Sequence, residues 1–438
     1  MSTPIRNTPT TRTPGACTSR RAFIRSGASL AAASAFVTRA GATEGPRARV
    51  VVVGGGFGGA TAARTLKRWA PALEVTLIER DAAFISCPLS NLVLAGNARI
   101  ADLTFGYQSL ERLGIRVIRG EVMAIDASTR TVRLASGERL PYDRAIVSPG
   151  VEFDLAGIPG LQAPAALAAM PIAWKAGPET LRLRQHLEAM PDGGVFVMHI
   201  PQAPYRCPPG PYERACQVAD YFTREKPRSK VIVLDANPDL VSKKALFMAA
   251  WNGPYKGMVE YRPNSELADV DGPARTVKLV FDDVPGGVVN VIPPQRAGAM
   301  AEASGLVTAN RRWCGVDWLT MESVAVKGVH VLGDATLSAS IMPKSATMAN
   351  QHAKLAAAAI IDLLADRPVE PNPTLINTCY SFVDAVRAGH VATVHAYDAT
   401  ERTMSVVKGS GGLSREANAT EGAHAWGWAR NIWGEALG

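Results

Sequence analysis

The chain has 438 residues, of which 47% are hydrophobic and 20% charged, enough for two or three domains with a large core and against wholesale disorder. The net charge of +8 suggests a nucleic-acid partner, but Arg6, Arg12, Arg20, Arg21, Arg25 and Arg39 supply six of those charges in residues 1–42, which hold no acid. The remainder carries only +2, so it has no special claim on nucleic acid. No apolar run reaches the roughly 18 residues of a membrane helix.

Residues 1–42 read as an export signal. Ser19-Arg20-Arg21-Ala22-Phe23-Ile24 is a twin-arginine pattern, Leu30 to Val37 is a short apolar run, and Ala40-Gly41-Ala42 offers a cleavage site. Export by this route carries folded proteins, often with a cofactor inside, and predicts a periplasmic location. Cys17 leaves with the leader. The five remaining cysteines are an odd number in a compartment that permits disulfides.

After the leader, Arg49 to Val53 is a buried strand by composition, followed by Gly54-Gly55-Gly56-Phe57-Gly58-Gly59 and a helix from Ala60 to about Trp69. Val75 to Glu79 is the next strand. Gly54, Gly56 and Gly59 keep the G-x-G-x-x-G spacing between a strand and a helix, where backbone N–H groups approach a pyrophosphate. Glu79, ending the next strand, is placed to accept hydrogen bonds from ribose hydroxyls. This motif alone does not separate FAD from NAD.

Further strands are expected at Val117 to Ala124 and Arg144 to Pro149. A second βαβ-like unit opens at Gly194 to His199, continues through a helix near Glu213 to Thr223, and closes at Lys230 to Asp235. Its connecting loop carries prolines at 201, 204, 208 and 209, which cannot donate backbone N–H bonds to a pyrophosphate. That argues against a nicotinamide cofactor in this unit. Val329 to Asp334 is a late strand ending in Gly333-Asp334. A long alanine-rich helix, Ala346 to Leu364, follows it. A carboxylate there can meet the ribityl and phosphate groups of FAD, and the helix N-terminus can face the flavin pyrimidine ring, with Lys344 adding positive charge. Together these features favour FAD. Three prolines between Asp366 and Pro373 mark a boundary, Gly409 to Gly412 reads as a loop, and the last residues are tryptophan-rich.

Three cysteine segments stand out: Ser86-Cys87-Pro88-Leu89-Ser90-Asn91, Tyr205-Arg206-Cys207-Pro208-Pro209-Gly210-Pro211-Tyr212-Glu213, and Asn377-Thr378-Cys379-Tyr380. With Ala173 to Gly177, Ile292 to Gly298, Met342 to Ser345 and the tail from Trp426 to Ile432, the chain from about Arg49 onward resembles the flavoprotein subunit of flavocytochrome c sulfide dehydrogenase and SoxF-like flavoproteins. The resemblance implies an α/β fold with two Rossmann-like nucleotide-binding domains of the FAD/NAD(P)-linked disulfide reductase type and a C-terminal interface domain. The expected division is 43–160 and 291–366 for FAD, 161–290 for the second Rossmann-like domain without a nicotinamide cofactor, and 367–438 for the C-terminal domain.

The same resemblance gives Cys87 a covalent 8α-thioether bond to FAD and makes Cys207 and Cys379 a redox disulfide over the flavin. It makes Glu213 the acid–base residue. Hydrosulfide would attack the disulfide, leaving a persulfide on one cysteine and a thiolate on the other that donates into FAD. Spacing alone does not fix that pairing. Cys216 and Cys314 are expected to be buried, inert thiols. The chain has no C-x-x-C-H haem site, so the implied electron acceptor is a separate c-type cytochrome subunit. His390 and His395, expected on a helix or loop, complete no metal set. Two other readings remain: a sulfide:quinone oxidoreductase-like enzyme, with Trp426, Trp428 and Trp433 as a membrane anchor, and a flavoprotein that exchanges thiols with a sulfur-oxidation system.

Overall fold

The structure is a computed structural model and describes residues 48–438. The twin-arginine leader lies outside the described residues.

Two parallel sheets and one antiparallel sheet organise the chain. The first sheet has five parallel strands. They are β1 (Arg49–Val53), β2 (Glu74–Glu79), β3 (Arg116–Arg119), β4 (Arg144–Val147) and, from much later in the chain, β5 (Val329–Val331). Their spatial order is β5-β4-β1-β2-β3. Val50 to Val53 are buried, as expected of a central parallel strand covered on both faces. Helix α1 (Phe57–Trp69) leaves β1 directly. Its small residues Gly58, Gly59, Ala60, Ala62 and Ala63 are buried and let it lie close to the sheet and to the later helix α5 (Ala346–Leu364). The single strand expected at Val117 to Ala124 is two strands. Gly120 donates its N–H to Glu79 O and ends β3, and Val122–Asp126 then turns into a separate antiparallel meander.

Between β4 and β5 the chain builds a second parallel sheet from β6 (Val195–Ile200), β7 (Lys230–Asp235), β8 (Val259–Arg262) and β9 (Val288–Val291), in the order β8-β7-β6-β9. Helix α3 (Gly210–Glu225) links β6 to β7, packed through Tyr212, Val218 and Phe222 on Phe196 and Val231. Asp235, at the end of β7, is occupied from within the protein: Tyr212 Oη donates at 2.8 Å, Tyr261 Oη at 3.0 Å and Asn237 Nδ2 at 2.7 Å.

The third sheet is antiparallel: β10 (Thr374–Phe382), β11 (Ala388–Asp398) and β12 (Thr403–Val406), with Gly412–Leu413 pairing on β11. His390 and His395 therefore sit on a strand, not on a helix or loop. Val391, Thr393 and Val394 are β-branched and favour extended backbone there. The final helix α6 (Ala419–Leu437) returns to α1 and to the segment carrying Cys87. Trp433 donates its Nε1 hydrogen to Ser86 Oγ at 2.9 Å and packs on Phe105.

Candidate functional site

The glycine turn closes because side chains are absent where the backbone needs room. Gly54 has φ +94°, and a Cβ there would lie 2.3 Å from Ser148 O. A Cβ on Gly59 would lie 1.8 Å from Gly54 O, so the third glycine sets how closely α1 approaches the strand end. Gly56 has open space where a Cβ would point and lines the central cleft. The Glu79 carboxylate accepts the Gly55 N–H at 2.6 Å and the Asp81 N–H at 2.9 Å, which fixes it beside the turn. Gly59→Ala is expected to push α1 off the turn and empty the protein of dinucleotide. The check is flavin absorbance per chain after purification, and full occupancy would refute it.

Across the cleft, Gly333 (φ +68°) and Asp334 end the first sheet beside the start of α5. Asp334 Oδ1 is buried with no hydrogen-bond partner in the protein. Burial raises this carboxyl's pKa, against the opposing charges of Arg206 and Lys344. A buried acceptor left open toward a cleft fits a ligand hydroxyl. Ser345 caps α5 by accepting the Met348 N–H, and Ala346 and Ala349 face the same space. The cleft encloses about 1190 Å³, counted with the solvent at its mouth.

Lys344 does not reach this cleft. Its ammonium donates to Asp334 O at 3.0 Å and Thr336 O at 2.6 Å and lies 3.6 Å from the Trp313 ring centroid. The sequence places a cation beside the helix start, but the side chain turns inward to satisfy two buried carbonyls. Its contribution to the site is through the backbone, since Lys344 O accepts the Cys207 N–H at 2.9 Å.

Cys87, Cys207 and Cys379 all line the cleft, and all are free thiols in the structure. Cys87 precedes the short helix α2 (Ser90–Ala95), and its Sγ accepts the Ala176 N–H at 3.4 Å. Cys207 is held with φ +58° just ahead of α3. Cys379 lies on β10 with its Sγ 3.5 Å from Asn377 Oδ1. Burial pushes both the Cys207 and Cys379 thiols up. Cys216 and Cys314 are fully buried and do not line the cleft.

Glu213, in the first turn of α3, is also on the cleft. Burial raises its pKa, against two hydrogen bonds that favour the carboxylate: the Phe382 N–H at 2.7 Å and Asn91 Nδ2 at 2.8 Å. Asn91 is the hinge of this network. Its Nδ2 also donates to Gly210 O at 3.1 Å, while its Oδ1 accepts from the buried Arg214 Nε at 3.1 Å. Arg214 further holds Asn290 Oδ1 and Ala173 O and lies over the Trp174 ring. Asn91 and Arg206 stand inside the cysteine segments with no role that the sequence assigns, and Arg214 stands just outside them. The signal was there in part, as Asn91 closes the Cys87 segment and Arg214 follows Glu213. Asn91→Ala leaves a buried carboxylate and guanidinium each short of a partner. It is expected to destabilise the fold by about 3 kcal/mol, measured by urea unfolding.

Three family models match this chain. The Sulfide dehydrogenase [flavocytochrome c] flavoprotein chain, central, covers 180–293, and Flavocytochrome c sulphide dehydrogenase, flavin-binding, covers 371–437. Pyridine nucleotide-disulphide oxidoreductase covers 48–175. A 45-residue stretch is 58% identical to the sulfide dehydrogenase [flavocytochrome c] flavoprotein chain of Chlorobaculum thiosulfatiphilum, covering 94% of that sequence and 10% of this chain. The chain belongs to the flavocytochrome c sulfide dehydrogenase flavoprotein family, oxidoreductases acting on sulfide. The chain is also 25% identical over 334 residues to the mitochondrial sulfide:quinone oxidoreductase of Mus musculus, covering 72% of this chain and 71% of that one. Among solved structures, the sulfide:quinone oxidoreductase of Aquifex aeolicus superposes with TM-score 0.72 at 18% identity, over 89% of this chain and 91% of that one, which shows the shared fold. Family membership makes FAD the cofactor, and the glycine turn, Glu79 and the open Asp334 acceptor fit it.

Proposed function

We propose that this chain oxidises sulfide to sulfane sulfur or polysulfide through a Cys207–Cys379 disulfide and FAD covalently held by Cys87, and passes the electrons to a c-type cytochrome subunit. The observation that carries this reading is that these three cysteines line one cleft with Glu213, although Cys207 and Cys379 are 172 positions apart in sequence. The names of the relatives, sulfide dehydrogenase and sulfide:quinone oxidoreductase, support the substrate.

The chain's own residues would work as follows. The disulfide offers an electrophilic sulfur to hydrosulfide, and its cleavage leaves one cysteine as persulfide and the other as thiolate. Glu213, with its proton affinity raised by burial, takes up and returns the proton of incoming sulfide at its carboxylate. Asn91 and the Phe382 N–H hold that carboxylate in place. Glu79 would hold ribose hydroxyls and Asp334 the ribityl and phosphate groups of FAD, and the start of α5 would turn its positive pole to the cleft. Bound FAD supplies a two-electron acceptor that can discharge in single-electron steps.

Two of the three tryptophans of the quinone alternative's anchor are engaged within the protein. Trp433 is 7% exposed and hydrogen-bonded to Ser86, and Trp428 lines the cleft. Among the described residues no helix is long and apolar enough to cross a membrane. Anaerobic titration with sulfide, read by flavin absorbance, tests the reading. Bleaching followed by reduction of an added soluble c-type cytochrome supports it. Reduction of a quinone analogue alone favours the quinone enzyme, and an unbleached flavin favours thiol exchange. The proposed compartment is the periplasm, reached by the twin-arginine leader. Changing Arg20 and Arg21 to Lys is expected to hold the chain in the cytoplasm, measured by fractionation.

A further inference from the structure

Against β10 lies a buried cation, on the strand face that Ser381 shares with Cys379. Lys243 is 5% exposed and sits in the left-handed region, φ +52°, immediately before helix α4 (Lys244–Asn252). Few non-glycine residues adopt that conformation without support from their surroundings. Its ammonium donates to Cys379 O at 2.8 Å, Ser381 Oγ at 3.0 Å and Gly389 O at 3.0 Å. All three donors are used, and none of the three acceptors is a carboxylate. A buried ammonium held only by neutral groups is expensive, and it is relieved when an anion forms beside it.

The charges around the two cleft thiols are not symmetric. Beyond burial, the leading influences on Cys207 are Cys379 and Glu213, both of which disfavour a thiolate there; Arg206 and Lys243 oppose them more weakly. At Cys379 the leading influence after burial is Lys243, which favours a thiolate there against the weaker opposition of Glu213. Lys243 itself is faced by Cys379 on β10, Glu213 on α3, Cys207 ahead of α3 and Glu421 on α6.

We propose that Lys243 is a positioning residue for the sulfur chemistry, stabilising Cys379 as the leaving thiolate so that hydrosulfide attacks Cys207. The inference rests on the redox-disulfide reading above. In this step HS⁻ forms a bond to Cys207 Sγ and the Cys207–Cys379 bond breaks. The electron pair of that bond goes to Cys379 Sγ beside the Lys243 charge, and the proton stays on the new persulfide. No outside oxidant is needed, because the disulfide is the electrophile.

Burial lowers the Lys243 pKa to about 8, so its charge is present below that pH and fades above it. The test uses the full-length, flavin-loaded protein. In a Cys207→Ser background, Cys379 is the remaining thiol of the pair, and its iodoacetamide alkylation is followed from pH 6 to 10 by peptide mass spectrometry. Lys243→Gln is expected to slow alkylation about tenfold near neutral pH, the effect of one unit in thiol pKa. Lys243→Arg is expected to restore the rate. Unchanged profiles, or an Arg variant as slow as Gln, would overturn the assignment.

Alkylation requires neither a disulfide nor sulfide, so it is independent of the redox reading. That reading fails on its own if Cys207→Ser keeps rapid sulfide-dependent flavin reduction. A second measurement needs no lysine variant: the oxidised wild-type protein is treated with sulfide, trapped with alkylating agent and digested. The persulfide is expected on the Cys207 peptide. Its appearance on the Cys379 peptide overturns the direction of attack, and its absence from both overturns the redox reading and this inference together.

Discussion

Cys379→Ser and Cys207→Ser are each expected to lower the rate of sulfide-dependent flavin reduction on the order of a thousandfold or more, with FAD still bound. A serine oxygen cannot form the disulfide, so hydrosulfide loses its electrophilic sulfur and must react with the flavin directly. FAD should stay because the glycine turn, Glu79 and Asp334 are untouched. Stopped-flow absorbance under anaerobic conditions measures the effect. Cys216→Ser should change the rate little, since that thiol is buried in the second sheet's core. Near-normal rates in both cleft variants would make the disulfide structural. Cys314 would not take over the chemistry in that case. Cys314 is fully buried off the cleft, and burial pushes its thiol up to about 12.

Cys87→Ser is expected to convert bound flavin from fully covalent to fully extractable. In the unmodified protein, acid precipitation should leave the yellow colour in the pellet. In the variant the colour should move to the supernatant. The reason is chemical: the thioether needs a sulfur at this position, and Cys87 lines the cleft while its Sγ is fixed by the Ala176 N–H. Arg206, whose main-chain N–H is tied to Gln295 Oε1, lines the same cleft as Cys87. A yellow supernatant from the unmodified protein would remove the covalent bond from the proposal and leave the rest standing.

The sequence made the cofactor half of the molecule legible. Valines before a glycine turn force a buried strand, and the third glycine leaves its mark as an absent Cβ against Gly54 O. The helix Ala346–Leu364 was readable to the residue because Ser345 caps it and alanine fills it. The C-terminal sheet was not readable. Its strands β10 and β11 mix apolar, polar and β-branched residues without a clean alternation, because their faces meet helices, cleft and solvent in turn. Lys344 was misdirected for a related reason: residue type gives a charge, and only the packing of Trp313 and the 333–336 turn gives its direction. Asn91 and Lys243 owe their importance to partners 119 to 146 positions away, a relation that no local pattern encodes.

The hydrogen bond from Trp433 to Ser86 joins residues 347 positions apart, and it braces the segment that presents Cys87. Ser109 Oγ likewise donates to Leu437 O at the end of α6. The wall beside the proposed flavin attachment point is thus completed by residues more than 300 positions further along the chain. During synthesis the glycine turn and Cys87 emerge well before α6, and their pocket stays unfinished until α6 has been made and has docked. Stable cofactor capture therefore waits for α6, and truncations that remove α6 should yield a colourless protein even though every glycine of the turn is present.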